Sequence, residues 1–368
     1  MNIACISTYP PALCGIATYV RDLANALTAQ GHTATILAEV CGASNRPQDH
    51  VYYVWDRRMH YNARAGLGGL FKTIVDGSPK PDVVHIQHEF GLFPVDGDFL
   101  RFEQGLRDAG LRVMTTLHTV LLPPKHSTFF RHIDNVIVHT ALAEAVFRAI
   151  NVDAKVFCIP HGVGLTKSIP NIEAKKKLGV FEGALLLLVP GFMSRSKNIL
   201  EIIEAFALCL SETDVEAYRL AVVGECRDDT HYRELESSVN EYGIKRFVTL
   251  NNSYQSDAQR HLWFSAADAV VLGAGKGADL GPYSASGQLA TALGYGLPVI
   301  AKDTAIYQGS EGVLYFRSAN ECATWMNAIR SGEFRGRLAA KALEAGEARS
   351  WDKIAKDHVE LYGRVALG

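Results

Sequence analysis

Met1-Asn2-Ile3-Ala4-Cys5-Ile6-Ser7-Thr8-Tyr9-Pro10-Pro11-Ala12-Leu13-Cys14-Gly15-Ile16-Ala17-Thr18-Tyr19-Val20 holds the fold in miniature. Residues 3–7 form an apolar run of strand length. Tyr9 to Gly15 read as a loop, because Pro10 and Pro11 lack backbone donors and Gly15 relaxes the chain. After it, Tyr19, Val20, Leu23 and Leu27 recur at helical spacing, and Gly31 suits a helix C-terminal cap. Strand, loop and helix make one βα step. Working outward, further strands are predicted at 33–38, 82–87, 112–117, 135–139 and 155–159, with helical patterns between them. This alternation predicts a parallel sheet covered by helices on both faces.

Residues 162–183 break the rhythm. They are polar, carry Pro170 and contain Ala174-Lys175-Lys176-Lys177, so they read as the passage to a second domain, with the lysines on a solvated helix face. The rhythm then restarts, with predicted strands at 185–189, 220–223, 247–250, 269–272, 297–301 and 313–316. Helical patterns include 199–210 and 289–294, and residues 351–365 form an amphipathic tail. The expected fold is α/β: two doubly wound, Rossmann-like parallel-sheet domains facing a cleft. The expected domains are 1–165 with the tail 350–368, and 166–349. Such sheets bind ligands at the carboxyl ends of their strands.

A chain of 368 residues suits two α/β domains, and 48% hydrophobic with 21% charged residues suits a globular one. A net charge of -2 supplies no basic field for nucleic acid. The longest apolar stretch, 184–190, falls well short of the roughly 20 residues that span a bilayer. The chain enters a strand at once, without a leader pattern. Seven scattered cysteines without a CxxC pair read as reduced thiols, so a cytoplasmic location is expected.

Four places could carry chemistry. Leu13-Cys14-Gly15-Ile16 joins a strand to a helix N-terminus, whose free N–H groups suit a diphosphate or a sugar hydroxyl. An ordinary βα turn would look the same. Gly281-Pro282-Tyr283-Ser284-Ala285-Ser286-Gly287-Gln288 is a second such junction, where Ser284 and Ser286 either donate to an anion or cap the helix. Gly191-Phe192-Met193-Ser194-Arg195-Ser196-Lys197-Asn198 follows a strand, and its two cations could neutralise a departing diphosphate without a metal. His85, His88, Glu89 and His118 close two predicted strands and suit hydrogen bonding or proton transfer. His85 and His88 point to opposite faces of a strand, which argues against zinc. Asp96-Gly97-Asp98 lies in a loop. Gly66-Leu67-Gly68-Gly69 and Gly273-Ala274-Gly275-Lys276 complete neither a dinucleotide fingerprint nor a P-loop.

In order and spacing, several segments resemble family 4 retaining glycosyltransferases. They are Tyr9-Pro10-Pro11 through Tyr19, Asp82-Val83-Val84-His85-Ile86-Gln87-His88-Glu89-Phe90-Gly91, Thr116-Leu117-His118-Thr119, Ile159-Pro160-His161-Gly162-Val163, Gly191 through Asn198, Val222-Val223-Gly224-Glu225 and Gly294-Tyr295-Gly296-Leu297-Pro298-Val299-Ile300. The resemblance implies a GT-B fold with an N-terminal acceptor domain, a C-terminal nucleotide-sugar domain and a final helix crossing back. It implies retention of anomeric configuration with neither metal nor cofactor. The donor would be a nucleotide-sugar such as GDP-mannose or a UDP-hexose, and the acceptor a saccharide or a lipid-linked one.

Carried over residue by residue, His118, Arg195 and Lys197 are the catalytic candidates. Gly15, Ile16, Glu225, Tyr283, Ser284, Ser286, Gly287, Gln288 and Thr291 would bind the donor, and His88 and Glu89 the acceptor. The chain departs from the family where Tyr283 and Thr291 replace two glutamates, one usually on the donor sugar and one on the ribose. Ser286-Gly287-Gln288-Leu289-Ala290 resembles a related bacterial branch, which reads as altered donor recognition, with Asp279 a substitute carboxylate. Loss of transfer, leaving a nucleotide-binding or regulatory protein, is the alternative. Phe192 stands where an arginine often partners the lysine, and Arg195 would supply that charge. Arg57, Arg58, Arg64 and the 125–132 stretch with Phe129 and Phe130 read as a solvated loop or as a peripheral contact with the inner face of a membrane.

Overall fold

Short runs rich in β-branched and aliphatic residues, hidden on both faces, build two parallel sheets of the kind that only covering helices can shield from water. The computed structural model describes residues 1–41, 48–59, 66–93, 97–121, 129–211, 215–275 and 283–367. Arg64, Asp96, residues 125–128, Lys276, Asp279, Gly281 and Pro282 lie outside the described residues. The chain divides into two compact units, one of Met1–Gly162, Tyr283–Ala285 and Arg349–Gly368, the other of Val163–Pro282 and Ser286–Ala348.

The first unit contains β1 (Asn2–Ser7), β2 (Thr33–Glu39), β3 (Val51–Trp55), β4 (Val83–His88), β5 (Val113–Leu117), β6 (Thr119–Val120), β7 (Asn135–Val138) and β8 (Lys155–Cys158). Its main sheet runs β3-β2-β1-β4-β5-β7-β8. β3 was not expected, because it is an edge strand whose Tyr52 is exposed, so no burial pattern marks it. The helix Gly15–Ala29 hides Tyr19, Val20, Leu23 and Leu27. Ile354, Ala355, Leu361 and Tyr362 of the final helix, Trp351–Leu367, complete that core. The final helix is therefore part of the first unit.

The second unit contains β9 (Leu185–Pro190), β10 (Tyr218–Val223), β11 (Val248–Asn251), β12 (Ala269–Leu272), β14 (Val299–Lys302) and β15 (Val313–Phe316), in the order β11-β10-β9-β12-β14-β15. In both sheets the first strand in sequence has neighbours that diverge. The loops after β1 and β9 thus leave from the topological switch point, where such sheets leave a crevice.

Two expectations change. Lys175 is buried rather than solvated. Its ammonium donates to Asp268 and to the Ala184 carbonyl, both at 2.7 Å, while Lys176 and Lys177 stay exposed. Phe129 and Phe130 are buried in the first unit's core, so they offer nothing to a lipid surface.

Gly162 shows how tightly the final helix is seated. A Cβ there would lie 2.4 Å from ring atoms of Trp351. Gly162→Ala is expected to cost about 1–3 kcal/mol through overpacking, read as a lowered thermal midpoint. Gly332→Ala, where a Cβ meets nothing within 4 Å, is the control expected to hold its midpoint.

Candidate functional site

In the second unit, glycines let three strand ends close on one another. Gly191 (φ +98°) donates to the Val223 carbonyl at 2.9 Å, Met193 to Glu225 at 2.9 Å, and Gly224 to Asn251 at 3.0 Å. A Cβ on Gly224 (φ +152°) would lie 2.1 Å from the Gly191 carbonyl oxygen, so only glycine fits. Asn198, itself left-handed at φ +47°, donates from its side chain to the Gly273 carbonyl at 2.9 Å, and Gly275 donates to Ser196 at 3.1 Å. These bonds pin the turn Arg195–Lys197.

The two cations of that turn have different fates. Arg195 is exposed and held by carboxylates, with Nε 3.1 Å from Asp228 and its two terminal nitrogens 2.7 and 2.9 Å from Glu234. Lys197 is half-buried, and that burial lowers its pKa. Among the described residues no hydrogen bond or ion pair engages its ammonium. A desolvated cation without a counter-charge is an anion site in waiting.

The helix Gly287–Gly294 begins beside this loop. Ser286 caps it by accepting from Leu289 at 3.2 Å, and Ala290 donates to the Ser286 carbonyl at 3.0 Å. The amides of Gly287 and Gln288 remain at the open N-terminus. The Gln288 amide nitrogen would sit 2.9 Å from a Cβ on Gly191, and its buried oxygen has no partner. Thr291 donates to the Gly287 carbonyl at 2.8 Å. Glu225 pairs with Arg227 at 3.1 Å, and Arg227 lies 4.8 Å over Phe192.

Tyr283 and Ser284 belong to the first unit. They form β13 (Tyr283–Ser284) and pair antiparallel with β6, Tyr283 opposite Val120 and Ser284 opposite Thr119. Beside this ladder, the Thr119 hydroxyl donates to Glu89 at 2.8 Å, and burial raises the Glu89 pKa. Gly15 opens the first helix with Cys14 at an uncapped N-terminus, and a Cβ on Gly15 would meet nothing within 4 Å. Ile16 packs into the core.

A line of imidazoles crosses the carboxyl edge of the first sheet. His118 Nε2 lies 2.9 Å from Gln87 Oε1, and His118 Nδ1 lies 3.4 Å from His139 Nε2. His139 Nδ1 meets the Ile159 carbonyl at 2.9 Å. His85 meets the Thr116 and Tyr362 hydroxyls, each at 2.7 Å. Tyr19 sets its ring edgewise to His118, His161 and Trp351 at 4.8, 5.1 and 5.0 Å. Burial holds the pKa of His118 and His85 well below the ordinary value, lowers His161, and brings His139 to about 3 and His358 to about 4. His88 turns to the opposite face, against Phe90, Phe93, Phe99 and Phe129, and is fully buried. The expectation that it touches an acceptor does not match this enclosure.

Gln87, His139, His161 and Tyr19 were not singled out in the sequence. His139 ends a predicted strand just as His118 does, so the same rule could have found it.

The sequence profile described as Glycosyltransferase Family 4 matches residues 14–167. That match takes in the amino-terminal part of the chain, up to the passage into the second unit. The chain is 26% identical over 298 residues to an alpha-monoglucosyldiacylglycerol synthase of Streptococcus pneumoniae. The match takes in 72% of the chain and spans 64% of that relative's length. Its fold is that of solved GT-B proteins. A glycosyltransferase from Rickettsia africae superposes with TM-score 0.78 at 14% identity, covering 99% of this chain and 98% of that one. Sucrose-phosphate synthase from Thermosynechococcus elongatus gives 0.71 at 20%, covering 99% of each. Anabaena HepE in complex with UDP-glucose gives 0.73 at 16%, covering 99% and 100%. Among the described residues no helix is long and apolar enough to cross a membrane.

The buried imidazoles make acid stability a direct readout. Each binds a proton more readily unfolded than folded, so stability falls as pH drops below about 6.5 and falls until the folded pKa is reached. At pH 5 the loss is ~2 kcal/mol each for His139 and His358, whose folded values are about 3 and about 4. Glu103, pushed up to about 7 by burial, works the other way, losing stability as pH rises from about 4.5 to about 7. Glu89, also raised by burial, acts with Glu103. The buried imidazoles outnumber these two carboxyls, so the thermal midpoint is expected to fall from pH 7 to pH 5, followed by circular dichroism. A midpoint that rises over that interval would contradict the neutral, buried assignment.

Proposed function

We propose that this chain is a metal-independent, retaining glycosyltransferase that moves a hexose from a nucleotide-sugar to a saccharide or lipid-linked acceptor. The observation that carries the reading is Lys197. Its ammonium is half-buried, its pKa is lowered by desolvation, and it has no counter-charge among the described residues. It stands on the switch-point loop, and Gly191 of that loop adjoins Gln288 at the open helix N-terminus. A diphosphate supplies the missing charge to the one and accepts hydrogen bonds from the other. Three HepE structures hold UDP, UDP with glucose, and UDP-glucose, so a UDP-hexose is the first donor to try, ahead of GDP-mannose.

In the proposed reaction the bond between the anomeric carbon and the diphosphate oxygen breaks, and the acceptor oxygen bonds to that carbon on the same face. The acceptor's proton passes to the departing phosphate oxygen. Lys197 and the Gly287 and Gln288 amides stabilise the charge that develops there. The family resemblance assigns His118 to the donor sugar, and Glu89 is proposed for the acceptor hydroxyl. Arg195, already paired with Asp228 and Glu234, contributes less than Lys197. The absence of a carboxylate at Tyr283 and Thr291 motivates the competing reading, nucleotide binding without transfer.

A thermal-shift screen against UDP, GDP, ADP, dTDP and their sugars, with and without EDTA, comes first, because a ligand of the native state raises its apparent stability. One nucleotide is expected to raise the midpoint with or without EDTA. Lys197→Ala is expected to reduce that shift and to lower turnover by roughly 100-fold or more, with Arg195→Ala much milder. Unchanged turnover in Lys197→Ala would remove the diphosphate assignment. Binding without transfer to any acceptor offered would favour the competing reading.

A further inference from the structure

We propose that Gln87 and His139 are positioning residues for His118, fixing it as the neutral tautomer with its proton on Nδ1. The chain of contacts begins at an atom whose role is not negotiable. The Ile159 carbonyl can only accept, so His139, 2.9 Å away through Nδ1, carries its proton on that nitrogen. His139 Nε2 is therefore a lone pair, and it faces His118 Nδ1 at 3.4 Å. A proton on His118 Nδ1 turns that contact into a hydrogen bond, whereas a lone pair there would repel.

His118 Nε2 is then an acceptor, so the Gln87 amide, whose Oε1 stands beside it at 2.9 Å, must be turned to present its NH2 end there. The two ends of an amide have nearly the same shape, so the surrounding hydrogens decide which way it faces. The far end of the amide agrees. It lies 3.2 and 3.1 Å from the two ring nitrogens of His85, shared evenly between them. Both nitrogens are already taken at 2.7 Å by the Tyr362 and Thr116 hydroxyls. An oxygen at that end meets the ring's C–H, while an N–H there would find no lone pair free. With the amide so turned, both ring nitrogens of His85, His118 and His139 have a partner and every imidazole is neutral.

Nothing packed on His118 favours a charge. The ionisable groups around it are His85 and His88 from β4, His139 from the end of β7, His161, and the Tyr19 phenol from the first helix. Burial among these groups disfavours a second proton on the ring. His118 thus meets a donor sugar as an uncharged ring in one orientation, and positive charge at the diphosphate is left to Lys197. This part rests on the donor-contact reading of His118; the tautomer itself does not.

The test is a long-range proton–nitrogen correlation spectrum of the whole protein labelled with 15N-histidine, with the His118 signals identified by their loss in His118→Asn. The expected pattern is a protonated Nδ1, unchanged from pH 8 to pH 6. Gln87→Glu presents only acceptor oxygen to His118, and His139→Phe keeps the ring but removes the lone pair. Both are expected to shift the proton to Nε2. Both are also expected to lower kcat by about 10- to 100-fold, the size seen where an outer hydrogen bond orients a ring, with the donor KM nearly unchanged. His139→Gln, whose amide oxygen can accept the same proton, is expected to restore most of the loss. A wild-type ring protonated on Nε2, or on both nitrogens at pH 7, overturns the proposal. So does a Gln87→Glu variant whose tautomer moves while kcat stays. A chain that transfers no sugar from any donor would sink the transferase reading instead, and the spectrum would still decide the tautomer.

Discussion

Desolvation of basic groups is the constraint on which both units depend. In the first unit it acts on imidazoles, which give up their charge and bond to one another, to hydroxyls and to carbonyls. In the second it acts on Lys197, which has no such neighbours among the described residues and so keeps a cost that an anion can relieve. The same physics yields a neutral hydrogen-bonding surface in one unit and an electrostatic one in the other.

Backbone geometry delivers these groups. The strand that starts each sheet also sits where the strand order reverses, so its following loop is free to meet a ligand. In the second unit glycine does the rest. Gly224 and Gly191 approach closer than any side chain would permit, which lets three strand ends share hydrogen bonds and leaves Lys197 on a pinned turn. In the first unit Gly162 admits the Trp351 ring, and with it the helix whose Tyr362 hydroxyl ends on His85. The outermost helix is thereby joined to the buried polar line beneath it.

Much of this was legible early. The βα rhythm, the break after Gly162 and the glycine–lysine loop all follow from local pattern, because apolar periodicity and turn chemistry act over a few residues. The failures share a cause as well. Val51–Trp55 is an edge strand without an alternating burial signal. Lys175 looks like one of three surface lysines until Asp268, 93 residues away, takes its charge. Tyr283 and Ser284 look like the opening of a helix in the second unit, yet they pair with Thr119 and Val120 in the first.

The sequence by itself determined the fold class, the two-unit organisation and the residue types available for chemistry, since each depends on composition and short-range spacing. Only the tertiary structure decided which of those residues carry a usable charge. Arg195 and Lys197 are two positions apart and chemically alike, but Asp228 and Glu234 reach one and not the other. His85 and His88 share a strand, but one joins the polar line and the other an aromatic cluster. Charge and protonation depend on burial and on partners brought in from distant parts of the chain, and neither exists until the chain has folded.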